Sequence, residues 1–213
     1  FDPSEFWQKR LAWMRKEKVP PGLGTFRTAK VDAYDSKEIM ADSIRRAQFD
    51  TAVARIDRFR SGQLPASAVF DADLLARHMA HNDLVGGYRS LDWSDVKLYF
   101  NPATGLVEPI SYESFSGYAT TELVGARRAL SASAAQEDLH AQWLQDPVVF
   151  ERYLHHLERF SRKEYLDSTF TALKPALDSA SAILYGEFPW KELDRTVYYQ
   201  NQEAMRRLLP ALR

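Results

Sequence analysis

An amphipathic segment, a double glycine and a hairpin-like segment follow one another between residues 70 and 118. The amphipathic part runs into Gly86-Gly87, and a short polar loop comes next. Two strand-like runs separated by a turn complete the stretch. This order constrains the fold more than any other feature, because a glycine break and a hairpin decide how consecutive elements return on each other.

The hairpin follows from local chemistry alone. Lys97-Leu98-Tyr99-Phe100 is rich in strand-forming residues, and Leu106-Val107-Glu108-Pro109-Ile110 forms the returning run. Between them, Asn101-Pro102-Ala103-Thr104-Gly105 has the residue types of a turn. Pro109 has no N–H to donate, so the second strand should lie at an edge or end its pairing there. The loop at residues 111–117 is then able to line a site.

Carboxylates lie on both sides of this hairpin. Asp92 and Asp95 precede it, and Glu113 follows it. Acidic residues at the two ends of a hairpin can converge on one cation. Kinase-type enzymes hold their metal ions in this way, with one residue in a catalytic loop and another just past a hairpin. Outside such a context, each of these carboxylates would be read as a solvated turn or surface residue.

The ordered motifs around the hairpin resemble the CotH family of spore-coat-type protein kinases, which have an atypical kinase-like fold. The motifs that carry the resemblance are Phe70-Asp71-x-Asp73-Leu74-Leu75-Ala76-Arg77, Asp83-Leu84-x-Gly86, Trp93-x-Asp95-x-x-x-Tyr99, Asn101-Pro102-x-Thr104-Gly105, Leu106-x-Glu108-Pro109-Ile110 and Leu144-x-Asp146-Pro147-x-x-Phe150-x-x-Tyr153-Leu154. The similarity begins near Ser61, and the preceding residues fit more loosely. It implies a mainly α, C-lobe-like part of a kinase-like fold with one small β-hairpin.

The resemblance also implies an activity, the phosphorylation of protein Ser or Thr residues with ATP and Mg²⁺. Asp95 and Glu113, where the family usually has Asn and Asp, would hold Mg²⁺ through carboxylate oxygens. Where the family has Asp or His after the glycine turn, this chain has Arg89, which cannot accept a proton from a substrate hydroxyl. Asp92 is the nearest replacement for that acceptor, and Asp83 is the next.

The same resemblance suggests one helical C-lobe-like domain over residues 1–213. Its parts would be a helical lead-in at 1–60, the active-site helix, loop and hairpin at 61–118, and a helical tail at 119–213. Upstream of the hairpin, the sequence has no glycine-rich phosphate loop followed by a strand lysine. In the family that lysine belongs to an N-terminal lobe, so we expect such a lobe to precede residue 1 in the same polypeptide.

Capping residues and apolar spacing predict helices in the remainder of the chain. The predicted starts are Asp2-Pro3-Ser4-Glu5, Asp35-Ser36-Lys37-Glu38, Asp146-Pro147 and the capping box Ser161-Arg162-Lys163-Glu164. The second of these helices should end at Gly62 and be broken once near residues 43–50. Pro175 predicts a kink or a joint between two helices in the fourth. Residues 190–212 again alternate at helical period.

Composition restricts the partners. The chain is 45% hydrophobic and 13% aromatic, which is enough to build a core, and its formal net charge of -1 gives no reason to expect nucleic acid or an anionic membrane as a partner. We find no apolar run of transmembrane length and so expect no transmembrane segment. The absence of cysteine excludes disulfides and thiolate metal sites.

Two other functions stay open beside kinase activity. A degenerate kinase fold that serves as a protein-binding or scaffold module is favoured by Arg89 and by the changed acidic set. Metal-dependent hydrolysis through His78, His81 and Asp83 has less support. The two histidines lie three apart on a predicted helix and could share a metal ion, but the number of ligands is short.

Overall fold

The computed structural model describes residues 26–91, 93, 96–115 and 117–213, with the side chains of Tyr88 and Arg89 excepted. The helix predicted to start at Asp2 therefore lies outside the described residues. The described part is mainly helical and contains one small antiparallel sheet, as the sequence predicts.

The elements follow in a simple order along the chain. The described α-helices are α1 (Ser36–Ala41), α2 (Ser43–Arg60), α3 (Ala72–Val85), α4 (Ala132–Gln136), α5 (Leu139–Gln145), α6 (Pro147–Phe160), α7 (Lys163–Glu187) and α8 (Thr196–Leu208). The strands are β1 (Lys97–Asn101) and β2 (Leu106–Ile110). Short 3₁₀ segments lie at Ala66–Ala68, Tyr88–Leu91, Val124–Ala129 and Leu209–Leu212.

The break predicted near residues 43–50 lies at Asp42, between α1 and α2. The Asp42 carboxylate accepts hydrogen bonds from the backbone N–H groups of Ile44 and Arg45, so it caps the second helix and ends the first. The helix stops at Arg60, and Gly62 follows in the left-handed region with φ of +74°. The end near Gly62 is therefore confirmed.

The helix α3 lies at the centre of the molecule. The Asp71 carboxylate caps its first turn by accepting from the N–H groups of Asp73 and Leu74, and Gly86 ends it in the left-handed conformation. It packs against α6, α8 and β2. Most of its residues after Leu74 are buried, so its side chains set the positions of the loops around it.

The predicted hairpin is confirmed, with the turn at residues 101–105. The two strands pair antiparallel, with Lys97 opposite Ile110. Val107 also joins β2 to the chain before α3: its N–H donates to the Val69 carbonyl, and its carbonyl accepts from the Asp71 N–H, both at 2.9 Å. The hairpin is thereby fixed to the start of the central helix.

One cluster of buried side chains connects the helices with the hairpin. Its largest fully buried members are Trp143, Tyr153, Phe70, Leu75, Met79, Leu91, Leu144, Leu157, Met205, Val69 and Val107. At about 25 cal/mol per Å² of apolar surface, each such residue contributes roughly 1.5–3 kcal/mol relative to an exposed position.

In the helical tail, the capping prediction at Ser161 is wrong, and so is one of the two alternatives predicted at Pro175. Ser161 does not cap α7: the N-cap residue is Arg162 without a side-chain bond, and the Ser161 hydroxyl donates to the Glu158 carbonyl. Ser161 instead ends α6, where its N–H donates to the Leu157 carbonyl. Pro175 lies inside the continuous helix α7, so it is not a joint between two helices, and a kink at Pro175 stays a prediction.

Among the described helices, we find none that combines the length and the apolar character needed to cross a bilayer.

Candidate functional site

Two glycines form the turn between α3 and the polar loop, residues 88–96, of which 92, 94 and 95 are not among the described residues. Gly86 has φ of +64°, a conformation that favours glycine. A Cβ on Gly86 would overlap the backbone carbonyl of Tyr118, and a Cβ on Gly87 would overlap that of Ser114. The chain after β2 therefore crosses directly over the turn that leads towards β1.

The hairpin register explains this crossing. Because Lys97 lies opposite Ile110, the chain enters β1 and leaves β2 at the same end of the sheet. We call residues 111–120 the return loop; residue 116 within it is not among the described residues. The return loop thus starts beside the entry to β1 and passes over the glycine turn.

A buried asparagine of α8 holds the far end of the return loop. Asn201 Nδ2 donates to the Tyr118 carbonyl at 3.0 Å, and Asn201 Oδ1 accepts from the Thr120 N–H at 2.7 Å. The Asn201 side chain has no exposed surface. An amide that uses both its donor and its acceptor on the same loop fixes that loop in one position.

Polar side chains inside α3 hold the polar loop in a similar way. The Ser90 hydroxyl donates to Asn82 Oδ1 at 2.8 Å, and Asn82 Nδ2 donates to the His78 carbonyl at 2.8 Å. Both Ser90 and Asn82 are almost completely buried. The 3₁₀ segment Tyr88–Leu91 therefore has a defined position relative to the central helix.

Asp83 also supports the site and does not face a substrate. Its Oδ1 accepts from the Val124 N–H at 3.0 Å, and its Oδ2 accepts from the Tyr153 hydroxyl at 2.6 Å. Its carbonyl accepts from the Thr120 hydroxyl at 2.6 Å. Because Asp83 has no exposed surface, it is not placed to accept a proton from a substrate hydroxyl, the reserve role that the sequence suggested.

His78 and His81 are neutral side chains at pH 7. Burial lowers the pKa of His78 to about 4, with a further contribution from the nearby His81, and burial lowers the pKa of His81 as well. Among the described residues, no three His, Asp or Glu side chains are placed to hold a metal ion. His78, His81 and Asp83 therefore do not form the hydrolytic cluster considered from the sequence.

Most of the predicted acidic set falls outside the described residues. Asp92 and Asp95 are not among them, and of Arg89 only the backbone in the 3₁₀ segment is described. The pairing of Asp95 with Glu113 around one cation therefore stays a prediction. The roles of Asp92 and Arg89 in the reaction also stay predictions.

Glu113 is described, and its backbone is strained. Among the described residues it is the one non-glycine with positive φ, at +49°. A left-handed conformation costs an L-residue roughly 1–2 kcal/mol, so the surrounding loop must hold Glu113 in place. Its side chain is exposed, and the next residue, Ser114, lies against Gly87. An exposed carboxylate of this kind fits the oxygen ligands that Mg²⁺ prefers.

No local pattern in the sequence indicates that Asn201 and Ser90 support the site. Asn82 did have a signal, because it follows Leu75 by seven residues and Met79 by three, a spacing that places it on the apolar side of the helix. A polar residue in such a position needs a hydrogen-bond partner. Ser90 and Asn201 have no comparable local pattern.

Comparisons of the chain with protein-family models, with curated proteins and with solved structures yield no match.

Proposed function

We propose that this protein is an ATP- and Mg²⁺-dependent kinase-like phosphotransferase of the CotH type, acting on Ser or Thr residues of a protein substrate. The observation that supports this proposal best is the close approach of Gly87 and Ser114. It brings the return loop with Glu113 against the start of the polar loop. A kinase needs this convergence, because its metal ligands come from both sides of a hairpin.

In this proposal Asp95 and Glu113 would hold Mg²⁺, which would neutralise charge on the transferred phosphate. Asp92 would orient the substrate hydroxyl. Its carboxylate would accept the hydroxyl proton as the oxygen bonds to the γ-phosphorus of ATP and the bond to ADP breaks. The strained backbone of Glu113 is consistent with a ligand held in a set position.

A degenerate kinase fold acting as a protein-binding or scaffold module is the second candidate. The observation that favours it is Arg89, which stands where the family has a proton acceptor. Arginine stays protonated in proteins and cannot take that role. The glycine turn and the return loop would then preserve the fold of the site without its chemistry.

Labelled γ-phosphate transfer tests the first candidate. We expect the purified protein to incorporate phosphate into itself or into a Ser-rich peptide, and we expect EDTA to stop the incorporation. Glu113→Gln should remove most of the activity, because an amide has no charge to hold the metal. Glu187→Gln, an exposed carboxylate on α7, is the matched control and should leave activity unchanged. Equal activity of Glu113→Gln and the unmodified protein would exclude Glu113 as a metal ligand.

Two further variants separate the candidates. Asp92→Asn should lower kcat while it leaves nucleotide affinity intact, since an interaction made only in the transition state changes the rate and not the binding. If the protein transfers no phosphate and Arg89→Asp restores transfer, the scaffold function is supported. In that case the missing proton acceptor was the defect.

A further inference from the structure

A cleft of about 350 Å³ opens between α3, the end of β2, α6 and the start of α7. The polar residues on its described wall are Arg77, His78, His81, Ser111, Arg159 and Tyr165. Leu74 and Phe160 add an apolar surface. A volume of this size falls in the range of pockets that bind small molecules.

The charge of this wall is positive. Arg77 on α3 and Arg159 on α6 both face the cleft, and no carboxylate is among the described residues that line it. Neither guanidinium forms an ion pair with another part of the described chain, and Arg159 stands 6.0 Å from the centre of the Tyr165 ring. Two like charges at one cleft repel each other, and an anion between them would remove that cost.

The remaining polar groups are neutral hydrogen-bonding partners. His78 Nδ1 lies 3.3 Å from the Ser111 hydroxyl at the end of β2. Its Nε2 lies 3.4 Å from Asn82 Nδ2, so both ring nitrogens of His78 have partners within the protein, and His78 positions the Ser111 hydroxyl. Because burial lowers the pKa values of His78 and His81, both imidazoles are neutral at pH 7. The described wall of the cleft thus offers two permanent cations, the Ser111 hydroxyl and the neutral His81 imidazole, and no carboxylate is among its residues.

We propose that this cleft binds a phosphate monoester that carries an apolar or aromatic group. Two guanidiniums with additional hydroxyl and imidazole donors exceed what the two oxygens of a carboxylate can accept, whereas a phosphate monoester presents three charged oxygens. A phosphate group alone would leave much of the 350 Å³ empty. Leu74 and Phe160 provide the surface on which the rest of such a ligand can pack. This proposal does not depend on phosphoryl transfer at Glu113.

Phenyl phosphate is the probe, and calorimetry at pH 7 is the measurement. We expect binding that Arg77→Gln and Arg159→Gln each weaken at least about tenfold, the effect of losing one charge-assisted bond. Arg207→Gln, an exposed arginine on α8, is the control and should bind as the unmodified protein does. Glu113→Gln should also retain binding, which separates this site from the proposed transfer site.

Two other ligands distinguish the parts of the proposal. Inorganic phosphate should bind more weakly than phenyl phosphate, and benzoate should bind more weakly still. Equal binding of inorganic phosphate would overturn the apolar subsite, and equal binding of benzoate would overturn the preference for phosphate. Absence of phenyl phosphate binding at millimolar concentration, seen also as unchanged ³¹P line widths of the ligand, would overturn the site itself. Binding that neither arginine variant weakens would do the same.

Discussion

The hydroxyl of Tyr153 on α6 donates a 2.6 Å hydrogen bond to the buried carboxylate of Asp83 on α3. The same hydroxyl accepts from the Gly125 N–H at 2.9 Å, and the second carboxylate oxygen accepts from the Val124 N–H at 3.0 Å. Two helices and the 3₁₀ segment after the return loop are thus joined through one carboxylate. In a buried position each of these bonds is costly to lose.

Tyr153→Phe tests this junction directly. The change removes one hydroxyl, leaving Asp83 with one bond fewer and the Gly125 N–H without its acceptor. We expect the free energy of unfolding to fall by about 1–3 kcal/mol, measured by urea denaturation. Tyr185→Phe, on the exposed part of α7, is the control and should change it by less than about 0.5 kcal/mol. An unchanged midpoint for Tyr153→Phe would show that the junction does not contribute to stability.

Four glycine-to-alanine variants separate backbone strain from steric overlap. Gly87→Ala should be strongly destabilising, by more than about 2 kcal/mol, because the new methyl group meets the backbone of the return loop. Gly86→Ala adds the strain of positive φ to a similar overlap. Gly62→Ala meets no atom within 4 Å and should show the strain alone, about 1 kcal/mol. Gly186→Ala lies in an open helical position and should be neutral or stabilising.

Thermal denaturation measures the stabilities of these four variants and so tests their predicted order. If Gly87→Ala were as stable as Gly186→Ala, the return loop would not rest on the glycine turn in solution. Glu113 would then not be held beside the turn that leads to the polar loop. If Gly62→Ala and Gly86→Ala lost equal stability, the overlap of the new methyl group at position 86 with Tyr118 would not contribute to the loss.

The sequence predicted the elements whose signals are local. Asp146-Pro147 starts α6 because the Asp146 side chain and the proline favour that start without help from the rest of the chain. The turn at residues 101–105 likewise needs only its own residues. These predictions required no knowledge of the tertiary structure.

The wrong predictions each depended on surroundings that the local pattern does not contain. Ser161 was expected to cap α7, but its hydroxyl donates to the Glu158 carbonyl in α6. Its carbonyl accepts a hydrogen bond from the Arg206 guanidinium at 2.9 Å. Of the kink or the joint predicted at Pro175, the joint is wrong, because the helix continues through the proline. It lies on an exposed stretch of α7, where water can satisfy the carbonyl that proline leaves unbonded.

The buried residues whose hydrogen bonds hold the loops of the site could not be predicted from the sequence for a similar reason. The hydrogen bond between Asn201 and Thr120 joins residues 81 positions apart in the sequence, and that between Tyr153 and Asp83 joins residues 70 positions apart. Such pairs form only when the helices pack, and neither residue type nor spacing identifies the partner. The hairpin with its flanking carboxylates was visible because all its parts are adjacent in the chain.

Asp146→Ala tests a second buried carboxylate. Asp146 Oδ2 accepts from the Ser67 N–H at 2.7 Å, and Oδ1 accepts from the Val148 N–H at 2.9 Å, so this residue both caps α6 and holds the segment before α3. We expect Asp146→Ala to lose about 2 kcal/mol at pH 7 in urea denaturation. Asp35→Ala removes a residue that precedes α1 without a side-chain cap bond and should cost far less.

We expect the loss of stability caused by Asp146→Ala to depend on pH. Burial alone would raise the pKa of Asp146, but hydrogen bonds from Ser67 and Val148 outweigh it and hold the pKa below 3.8. A lowered pKa in the folded state gives stability that is present above the unfolded pKa and lost as pH falls below it. The difference between the unmodified protein and Asp146→Ala should therefore narrow below about pH 3.8. A difference that stays constant down to pH 2 would contradict the assignment.

His78 should make the fold less stable in mild acid. Its pKa is about 4 in the folded protein and 6.5 when exposed, so between these values the unfolded chain binds a proton that the folded chain does not. Stability therefore rises with pH across this window and levels off above it. The difference of about 2.5 between these two pKa values, at about 1.36 kcal/mol for each pKa unit, sets an upper limit of about 3.4 kcal/mol on the effect. The neighbouring His81, also lowered by burial, acts in the same direction.

His78→Gln removes the titrating group and keeps a polar side chain beside Asn82 and Ser111. We expect the loss of unfolding free energy between pH 7 and pH 4.5 to be smaller in this variant than in the unmodified protein, because protonation of the unfolded chain at position 78 no longer competes with folding. Urea denaturation at the two pH values measures the difference. His155→Gln, an exposed histidine on α6, is the control and should keep the full pH dependence. An equal pH dependence in His78→Gln and the unmodified protein would mean that His78 titrates in the folded state as it does in water, and the burial argument would then be wrong.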